Sequence, residues 1–174
     1  MNYAEIKTND IANGEGVRTS LFVSGCRHHC PDCFNSMTWD FDFGNPFTNE
    51  IKEKIFEASA PVWIAGLTVL GGEPFEPENQ KPLLDFLKEF RQRFPNKNIW
   101  CYSGFTYEEI TGKTPSRAFT AVSAELLRQT DILVDGRFVK EKKNIRLKFR
   151  GSENQRIIDV RKTLETGEIV IYLD

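Results

Sequence analysis

The sequence predicts an α/β fold: a single domain over residues 1–174, with a mostly parallel sheet, flanking helices and the form of an open partial barrel. Short apolar segments that end at glycine alternate along the chain with amphipathic helical stripes, which is the pattern of right-handed βαβ units. No repeat, low-complexity tract or Pro/Gly/Ser-rich linker divides the chain. Its 174 residues, 40% of them hydrophobic, suit one compact domain with an ordinary core.

The first predicted strand covers residues 18–24 and ends at Gly25, directly before a group of cysteines. Leu21 and Val23 lie on one face of this strand and Phe22 on the other, as expected of a pleated segment that is covered on both sides. The cysteines are therefore expected at the carboxyl end of a strand.

Two helices and another strand are predicted next. The elements are a helix capped by Thr48 or Asn49 and running to about Ala60, a strand over residues 67–70, and a helix that ends before Pro95. The last of these is the clearest, because Leu83, Leu87, Phe90 and Phe94 recur at the spacing of one helical face.

The second half of the chain continues the alternation. The predicted elements are a strand over residues 99–102, a short helix opened by the capping-box pair Thr106 and Glu109, a helix over 121–129, and strands over 132–134 and 169–173. The tail from Lys140 to the last of these strands has no assigned element.

Charge and hydropathy exclude two kinds of partner. The chain has 23 basic and 25 acidic side chains and a net charge of -2, so bulk attraction to nucleic acid or to an anionic membrane does not organise it. The longest mostly apolar stretch, residues 62–70, is about half of the roughly 18–20 residues that a membrane span requires. The first ten residues carry no apolar signal segment, and we expect a cytoplasmic protein.

Three of the four cysteines form the most informative motif. Cys26, Cys30 and Cys33 are spaced C-x3-C-x2-C, whereas Cys101 stands alone in a predicted strand, where it packs in the core or forms a pocket wall. In a reducing compartment the trio indicates a metal or cluster site. If three thiolates hold a four-iron cluster, one iron keeps an open coordination position, as in catalytic metal sites.

Zinc is the alternative for the same motif. Soft thiolates with one imidazole, from either His28 or His29, would complete a Cys3His tetrahedron and make the chain a zinc-stabilised binding module. Without a ligand role, both histidines are expected to be exposed loop residues.

Three further turns follow predicted strands: Gly71-Gly72-Glu73-Pro74, Ser103-Gly104 and Asp135-Gly136. Parallel α/β sheets place their ligand sites at this end, so these turns and the cysteine loop are expected to converge on one pocket. A basic run also lies in the tail, with Lys140, Lys142, Lys143, Arg146 and Lys148. On sequence alone a solvated face is favoured over a docking patch there, and a role of Arg150 in partner docking is a hypothesis.

The C-x3-C-x2-C motif at the end of a first strand, followed by the Gly71-Gly72-Glu73-Pro74 turn, resembles the radical S-adenosylmethionine superfamily. The resemblance implies a barrel of radical SAM type and one 4Fe-4S cluster held by Cys26, Cys30 and Cys33. Its open iron would be chelated by S-adenosylmethionine, which is cleaved reductively to methionine and a 5'-deoxyadenosyl radical.

Several blocks make the match closer. They are residues 13–18 (NGEGVR), 22–26 (FVSGC), 33–35 (CFN), 38–39 (TW), 99–104 (IWCYSG), 133–136 (LVDG) and 149–156 (FRGSENQR). Together they are similar to the activating proteins of anaerobic ribonucleoside-triphosphate reductases, over about residues 2–159. This resemblance implies an oxidoreductase that generates a glycyl radical on the reductase, with a reduced flavodoxin or similar electron donor. No residue is then needed as a general acid or base.

The resemblance also implies which residues contact the cofactor. It places S-adenosylmethionine against the turn of Gly71, Gly72 and Glu73, with Gly72 as the first expectation; the Glu73 carboxylate can accept from a ligand ammonium. Independently of the resemblance, Ser103 and Asp135 follow strands at the expected pocket and can supply partners for ribose or methionine groups, the alternative being an ordinary turn after a strand. Many superfamily members carry an aromatic residue just before the third cysteine, where this chain has Asp32. The adenine contact is therefore assigned to the segment Asp32, Cys33 and Phe34. Glu15 replaces the family's usual proline without removing chemistry.

Other functions remain as alternatives. The nearest is the activating enzyme of another glycyl-radical protein, such as pyruvate formate-lyase. Such enzymes are generally longer than this chain, and auxiliary clusters would need further cysteines, so both the length and the cysteine count weigh against this alternative. A flavin- or nicotinamide-dependent oxidoreductase would need a Gly-x-Gly-x-x-Gly turn after a strand, which this chain lacks.

Overall fold

A computed structural model describes residues 1–174 as one eight-stranded sheet with five α-helices. The elements are β1 (Asn2–Asp10), β2 (Val17–Val23), β3 (Asn45–Pro46), α1 (Asn49–Ser59), β4 (Ile64–Gly71), α2 (Pro77–Arg93), β5 (Asn98–Tyr102), α3 (Tyr107–Ile110), α4 (Ser123–Arg128), β6 (Ile132–Asp135), β7 (Arg156–Asp159), α5 (Val160–Thr166) and β8 (Ile171–Leu173). None of these helices is both long enough and apolar enough to cross a membrane.

The sheet has a parallel centre and antiparallel edges. Its strand order is β3-β1-β2-β4-β5-β6-β7-β8, and β2, β4, β5 and β6 pair in parallel. The remaining neighbours, β3 with β1, β1 with β2, β6 with β7 and β7 with β8, are antiparallel. The predicted α/β class is thus confirmed, and the parallel arrangement holds for the central strands.

Four elements were not predicted: β1, the two-residue strand β3, β7 and α5. The three strands lie in the outer parts of the sheet. β1 is mostly polar and half-exposed, so its sequence lacks the apolar signal of a buried strand. β7 and α5 share the short tail segment in which the sequence assigned nothing. β4 also begins at Ile64, earlier than predicted, because Ile64 is buried and already pairs with Val17 of β2.

The helices cover one face of the sheet. The main core contains alternate strand residues, among them Leu21 and Val69, packed against the predicted stripe of α2, including Leu83 and Phe90. The opposite face carries a smaller cluster around Trp100 and the cavity described below. The capping box at the start of α3 is present as predicted.

Arg18 ties three segments together beneath that second face. Its guanidinium is fully buried and donates to Thr68 Oγ1 at 2.7 Å, to the Leu67 carbonyl at 2.8 Å and to the Glu15 carbonyl at 3.0 Å. Burial lowers the pKa of Arg18 to about 10, so the group stays charged at neutral pH.

We expect Arg18→Lys to lower the free energy of unfolding by about 2 kcal/mol, because an ammonium on a flexible stem cannot satisfy these fixed acceptors at once. Urea unfolding of the variant measures the loss. Arg128→Lys, on an exposed position of α4, is the matched control and should stay within about 0.5 kcal/mol of the parent. Equal losses in both variants would contradict a structural role for Arg18.

Candidate functional site

The three predicted cysteine ligands lie in a loop, residues 24–39, that leaves the end of β2. A 3-10 turn, Ser36–Trp39, closes this loop. The Gly25 N–H donates to the Thr38 carbonyl at 2.8 Å and the Cys26 N–H to the Trp39 carbonyl at 3.1 Å. The Glu73 N–H donates to the Gly25 carbonyl at 2.8 Å, which fixes the loop against the turn after β4.

All four cysteines are free thiols, and the three in the loop line a cavity of about 580 Å³. Cys26 is 8% exposed, whereas Cys30 and Cys33 are half-buried. Burial, with the nearby Glu73 carboxylate, raises the pKa of Cys26 to about 12. A metal or cluster that binds there must displace the thiol proton.

The four segments predicted to converge do meet at this cavity. Of the predicted site residues and their turn neighbours, its wall contains Cys26, Cys30, Cys33, Phe34, Gly71, Gly72, Glu73, Ser103, Gly104 and Gly136. Asp32 and Asp135 are not part of the wall. Cys101 lies in the main core and not in the cavity, which leaves only the loop cysteines there.

Glu73 joins three of these segments. Its carboxylate is 1% exposed; Oε1 accepts from the Phe75 N–H and the Ser103 hydroxyl, each at 2.8 Å. Oε2 accepts from the Gly104 N–H at 2.7 Å and lies 3.1 Å from His28 Nε2. The four acceptor sites of the carboxylate are thus all engaged by the protein.

The expected exposure of the histidines is wrong for His28 and right for His29. The His28 side chain is 3% exposed, and its ring packs edge-on against Phe105 with the centroids 4.3 Å apart. His29 is exposed and stacks on Trp39 at 4.5 Å. His28 was missed because its partner Glu73 lies 45 residues further along the chain.

Asp135 faces a structural ion pair instead of the cavity. It is buried, accepts from the Tyr107 N–H at 2.7 Å and from Arg156 Nε at 2.9 Å. Arg156 also pairs with Glu108, and this contact lowers the pKa of Glu108 to about 2. Asp135 therefore holds the turn that carries Gly136.

Asp32 and Phe34 lie on either side of Cys33 at the rim. Asp32 has a left-handed backbone, φ 58°, and its exposed carboxylate pairs with Lys140 at 2.9 Å. Phe34 is 71% exposed and its ring lies 5.9 Å from that of Phe138. Of the two, Phe34 lies in the cavity wall.

The wall also holds polar groups that no protein atom satisfies. His28 Nδ1, Trp39 Nε1 and the Tyr102 hydroxyl are buried without a hydrogen-bond partner, and all three residues line the cavity. Buried polar groups in native proteins are nearly always paired, so these atoms are suited to a polar ligand. No group of three or more His, Cys, Asp or Glu side chains surrounds a single-ion site. The donor set of three thiols beside a roomy, partly polar cavity fits a cluster together with a polar organic cofactor.

Comparison with known proteins agrees with this donor set. A family model described as a 4Fe-4S single cluster domain matches residues 12–158. Among curated proteins, the anaerobic ribonucleoside-triphosphate reductase-activating protein of Pasteurella multocida is 38% identical over 157 residues, covering 89% of this chain and 95% of the relative. The protein of the same name from Escherichia coli K12 is 35% identical over 163 residues, covering 92% and 100%.

The chain belongs to the family of anaerobic ribonucleoside-triphosphate reductase-activating proteins. Its breadth is shown by the activating protein of Enterobacteria phage T4, which is 34% identical over 157 residues and covers 90% of this chain. The match to an iron–sulfur family model favours a cluster over the zinc alternative for Cys26, Cys30 and Cys33.

Several residues that line the cavity of this activating protein were not predicted from the sequence as part of the site. They are His28, Trp39, Tyr102, Phe138, Leu147 and Phe149. Phe138 and Phe149 carried a usable signal, because aromatic residues at both ends of a basic run are unusual for a purely solvated segment. Tyr102 carried none, since it reads as an ordinary strand residue.

Gly72 allows the turn after β4 to approach the cysteine loop. A Cβ atom there would lie 2.7 Å from the Gly25 carbonyl oxygen and 3.0 Å from that of Thr38, and neither backbone atom can move freely.

We expect Gly72→Ala to destabilise the protein by about 1–3 kcal/mol. Thermal unfolding checks this, with Ser36→Ala on the same loop as control; unchanged unfolding of Gly72→Ala would contradict the close approach.

Proposed function

We propose that this chain activates an anaerobic ribonucleoside-triphosphate reductase by placing a glycyl radical on it, at the expense of S-adenosylmethionine. The observation that carries the proposal is the convergence of Cys26, Cys30 and Cys33 with the Gly71–Gly72 turn on one cavity. Membership of the activating-protein family supports the choice of partner.

Cys26, Cys30 and Cys33 are the proposed ligands of one 4Fe-4S cluster, with the fourth iron open to the cofactor. Thiolates are the usual protein ligands of such clusters, and the fourth cysteine lies in the core. When bound, the cluster and S-adenosylmethionine supply a one-electron cleavage whose organic radical removes a hydrogen atom from glycine.

The proposed cofactor contacts divide into direct and positioning groups. Gly71 and Gly72 offer backbone that a ligand can approach, and Phe34, beside Cys33, offers an aromatic surface at the rim. Glu73 and Asp135 hold the turns in place, because their carboxylates are engaged by the protein. Ser103 and Asp32 complete the proposed set, and each would exchange a protein partner for the ligand.

The chain's remaining task is to keep the reaction away from water. Phe22, Leu70, Val134 and Phe149 give the cavity apolar walls on the sheet face opposite the helices. Such walls exclude solvent from a reactive radical, and the Tyr102 hydroxyl provides a polar group for orientation. The glycine Cα–H suits this chemistry because the flanking amides delocalise the radical that remains.

The proposal also includes the type of barrel, the class of enzyme, the electron donor and the cellular compartment. The single domain of residues 1–174 would form an open partial barrel of radical SAM type and act as an oxidoreductase of the glycyl-radical-activating class. A reduced flavodoxin or similar carrier would supply the electron. The free thiols suit work in the reducing cytoplasm.

Electron paramagnetic resonance tests the proposal. The anaerobically purified, dithionite-reduced protein should give a cluster signal that shifts with S-adenosylmethionine, followed by a glycyl doublet once the reductase is added. A shifted signal without a doublet on this reductase, but with one on pyruvate formate-lyase, would transfer the function to that partner. A colourless protein that contains zinc would overturn the proposal.

A further inference from the structure

The tail segment of residues 137–150, which we call the basic strap, lies over the cysteine loop. Lys140 pairs with Asp32 at 2.9 Å, and the Lys143 ammonium lies 5.2 Å from the centre of the Phe34 ring. An isolated antiparallel β-bridge between Lys143 and Ser152 holds the strap against the residues that follow it. One side of the strap therefore contacts the segment around the third cysteine.

The strap has an apolar inner side and a charged outer side. Phe138, Leu147 and Phe149 line the cavity. Lys142, Arg146 and most of the other basic side chains are exposed. A partner that binds the outer side would approach the cysteines without entering the cavity.

Most of the basic side chains of the strap are unpaired; Lys140, which pairs with Asp32, and Arg150, which pairs with Asp174, are the exceptions. Eight exposed basic side chains of the protein form no ion pair with a carboxylate: Lys54, Lys113, Arg128, Arg137, Lys142, Lys143, Arg146 and Lys148. Five of these eight belong to the strap. The other three, Lys54, Lys113 and Arg128, are far apart in the sequence, so the strap is the one segment in which unpaired positive charge is concentrated.

The amino-acid composition of the strap shows the same excess of positive charge. Residues 137–148 contain six basic side chains and one acidic one, Glu141, and so carry a net charge of +5 in a chain whose overall charge is -2. At the tip of the strap Ile145 is 91% exposed. An exposed aliphatic side chain within a segment rich in unpaired cations is compatible with a protein-binding surface that has a polar rim.

We propose that the outer side of the basic strap docks an acidic one-electron carrier protein. This rests on the proposed function, which requires an electron to enter a centre at Cys26, Cys30 and Cys33. In the transfer a reduced carrier, such as a flavin hydroquinone, loses one electron and becomes a semiquinone, while the oxidised cluster gains it. The rate of electron transfer between proteins falls steeply with the distance between donor and acceptor, so the carrier must dock beside the cysteine loop.

The glycine-bearing partner fits the outer side less well. Its glycine must enter the cavity, one part of whose wall is formed by the strap's inner side chains, whereas an electron carrier only needs proximity. Two partners can then act without competing for one surface. Charge complementarity in such a pair acts mainly on association and on its salt dependence.

The test compares two triple variants with equal changes in charge. The first, Lys142→Glu with Arg146→Glu and Lys148→Glu, reverses the strap. The second, Lys54→Glu with Lys113→Glu and Arg128→Glu, reverses the three unpaired cations outside it. Affinity of the cluster-loaded protein for oxidised flavodoxin, an acidic flavoprotein, is measured by calorimetry at several salt concentrations. Activation of the reductase is then driven either by reduced flavodoxin or by dithionite.

The strap variant is expected to bind flavodoxin at least about tenfold more weakly at low salt, with a flattened salt dependence, and the control variant much less so. Dithionite-driven activation should be unchanged in both, which separates this inference from the proposed function. Equal affinities in the parent and the strap variant would overturn the proposal. So would a strap variant that binds flavodoxin normally but loses dithionite-driven activation, because the surface would then belong to the reductase.

Discussion

Serine in place of Cys26, Cys30 or Cys33 is expected to abolish both cluster assembly and reductase activation. A hydroxyl is a harder and far less acidic ligand than a thiol and does not replace thiolate on iron. Because loss of an outer-shell partner alone costs metal sites 10–100-fold, loss of a ligand is expected to lower activation by more than about 100-fold. Iron and sulfide content, with the reduced-cluster resonance, provide the measurement.

Cys101→Ala is the matched control for this series. Cys101 is buried in the main core and does not touch the cavity, so its variant should keep the full iron content and most of the activity. A protein that loses its cluster on Cys101→Ala but keeps it on Cys30→Ser would show that the assigned ligand set is wrong.

Glu73→Gln is expected to have the second-largest effect. The substitution removes the charge and places an amide NH2 against the Gly104 N–H or the Phe75 N–H, both of which need an acceptor. Unsatisfied buried donors and a lost charge-assisted bond are expected to lower the free energy of unfolding by about 2–4 kcal/mol. The affinity for S-adenosylmethionine should also fall, because the Ser103–Gly104 turn would move relative to the cysteine loop.

Urea unfolding and equilibrium binding of the cofactor measure the two effects. Glu57→Gln, on an exposed position of α1, makes the same chemical change without buried partners and should stay within about 0.5 kcal/mol of the parent. If Glu73→Gln unfolded and bound like the parent, Glu73 would not be the link between the three segments.

The central fold was predictable because its elements carry strong local patterns. β4, β5 and β6 are short, largely apolar segments, β2 ends in the apolar run LFV, and α2 has a complete helical stripe. β1 has no such pattern because it is mostly polar and half-exposed, and β7 has none because only two apolar residues, Ile157 and Ile158, lie between charged ones. Their places in the sheet depend on tertiary pairing, which local sequence does not encode.

The site was predictable to the extent that it depends on spacing. The cysteine motif and the Gly71–Gly72 turn are contiguous in sequence, and topology alone predicts that they meet. The contacts of His28 with Glu73 depend on residues far apart in the chain and on the depth to which the ring is buried. For the same reason, the basic run alone indicated a solvated face, and only its position against Asp32 and Phe34 makes it a candidate docking surface.

Transfer of isotope from the reductase tests the central claim most directly. Reductase labelled with α-deuterated glycine is incubated with the reduced, cluster-loaded protein and S-adenosylmethionine, and the 5'-deoxyadenosine formed is analysed by mass spectrometry. The account predicts deuterium in the 5'-deoxyadenosine together with a glycyl radical on the reductase. A glycyl radical accompanied only by unlabelled 5'-deoxyadenosine would contradict it.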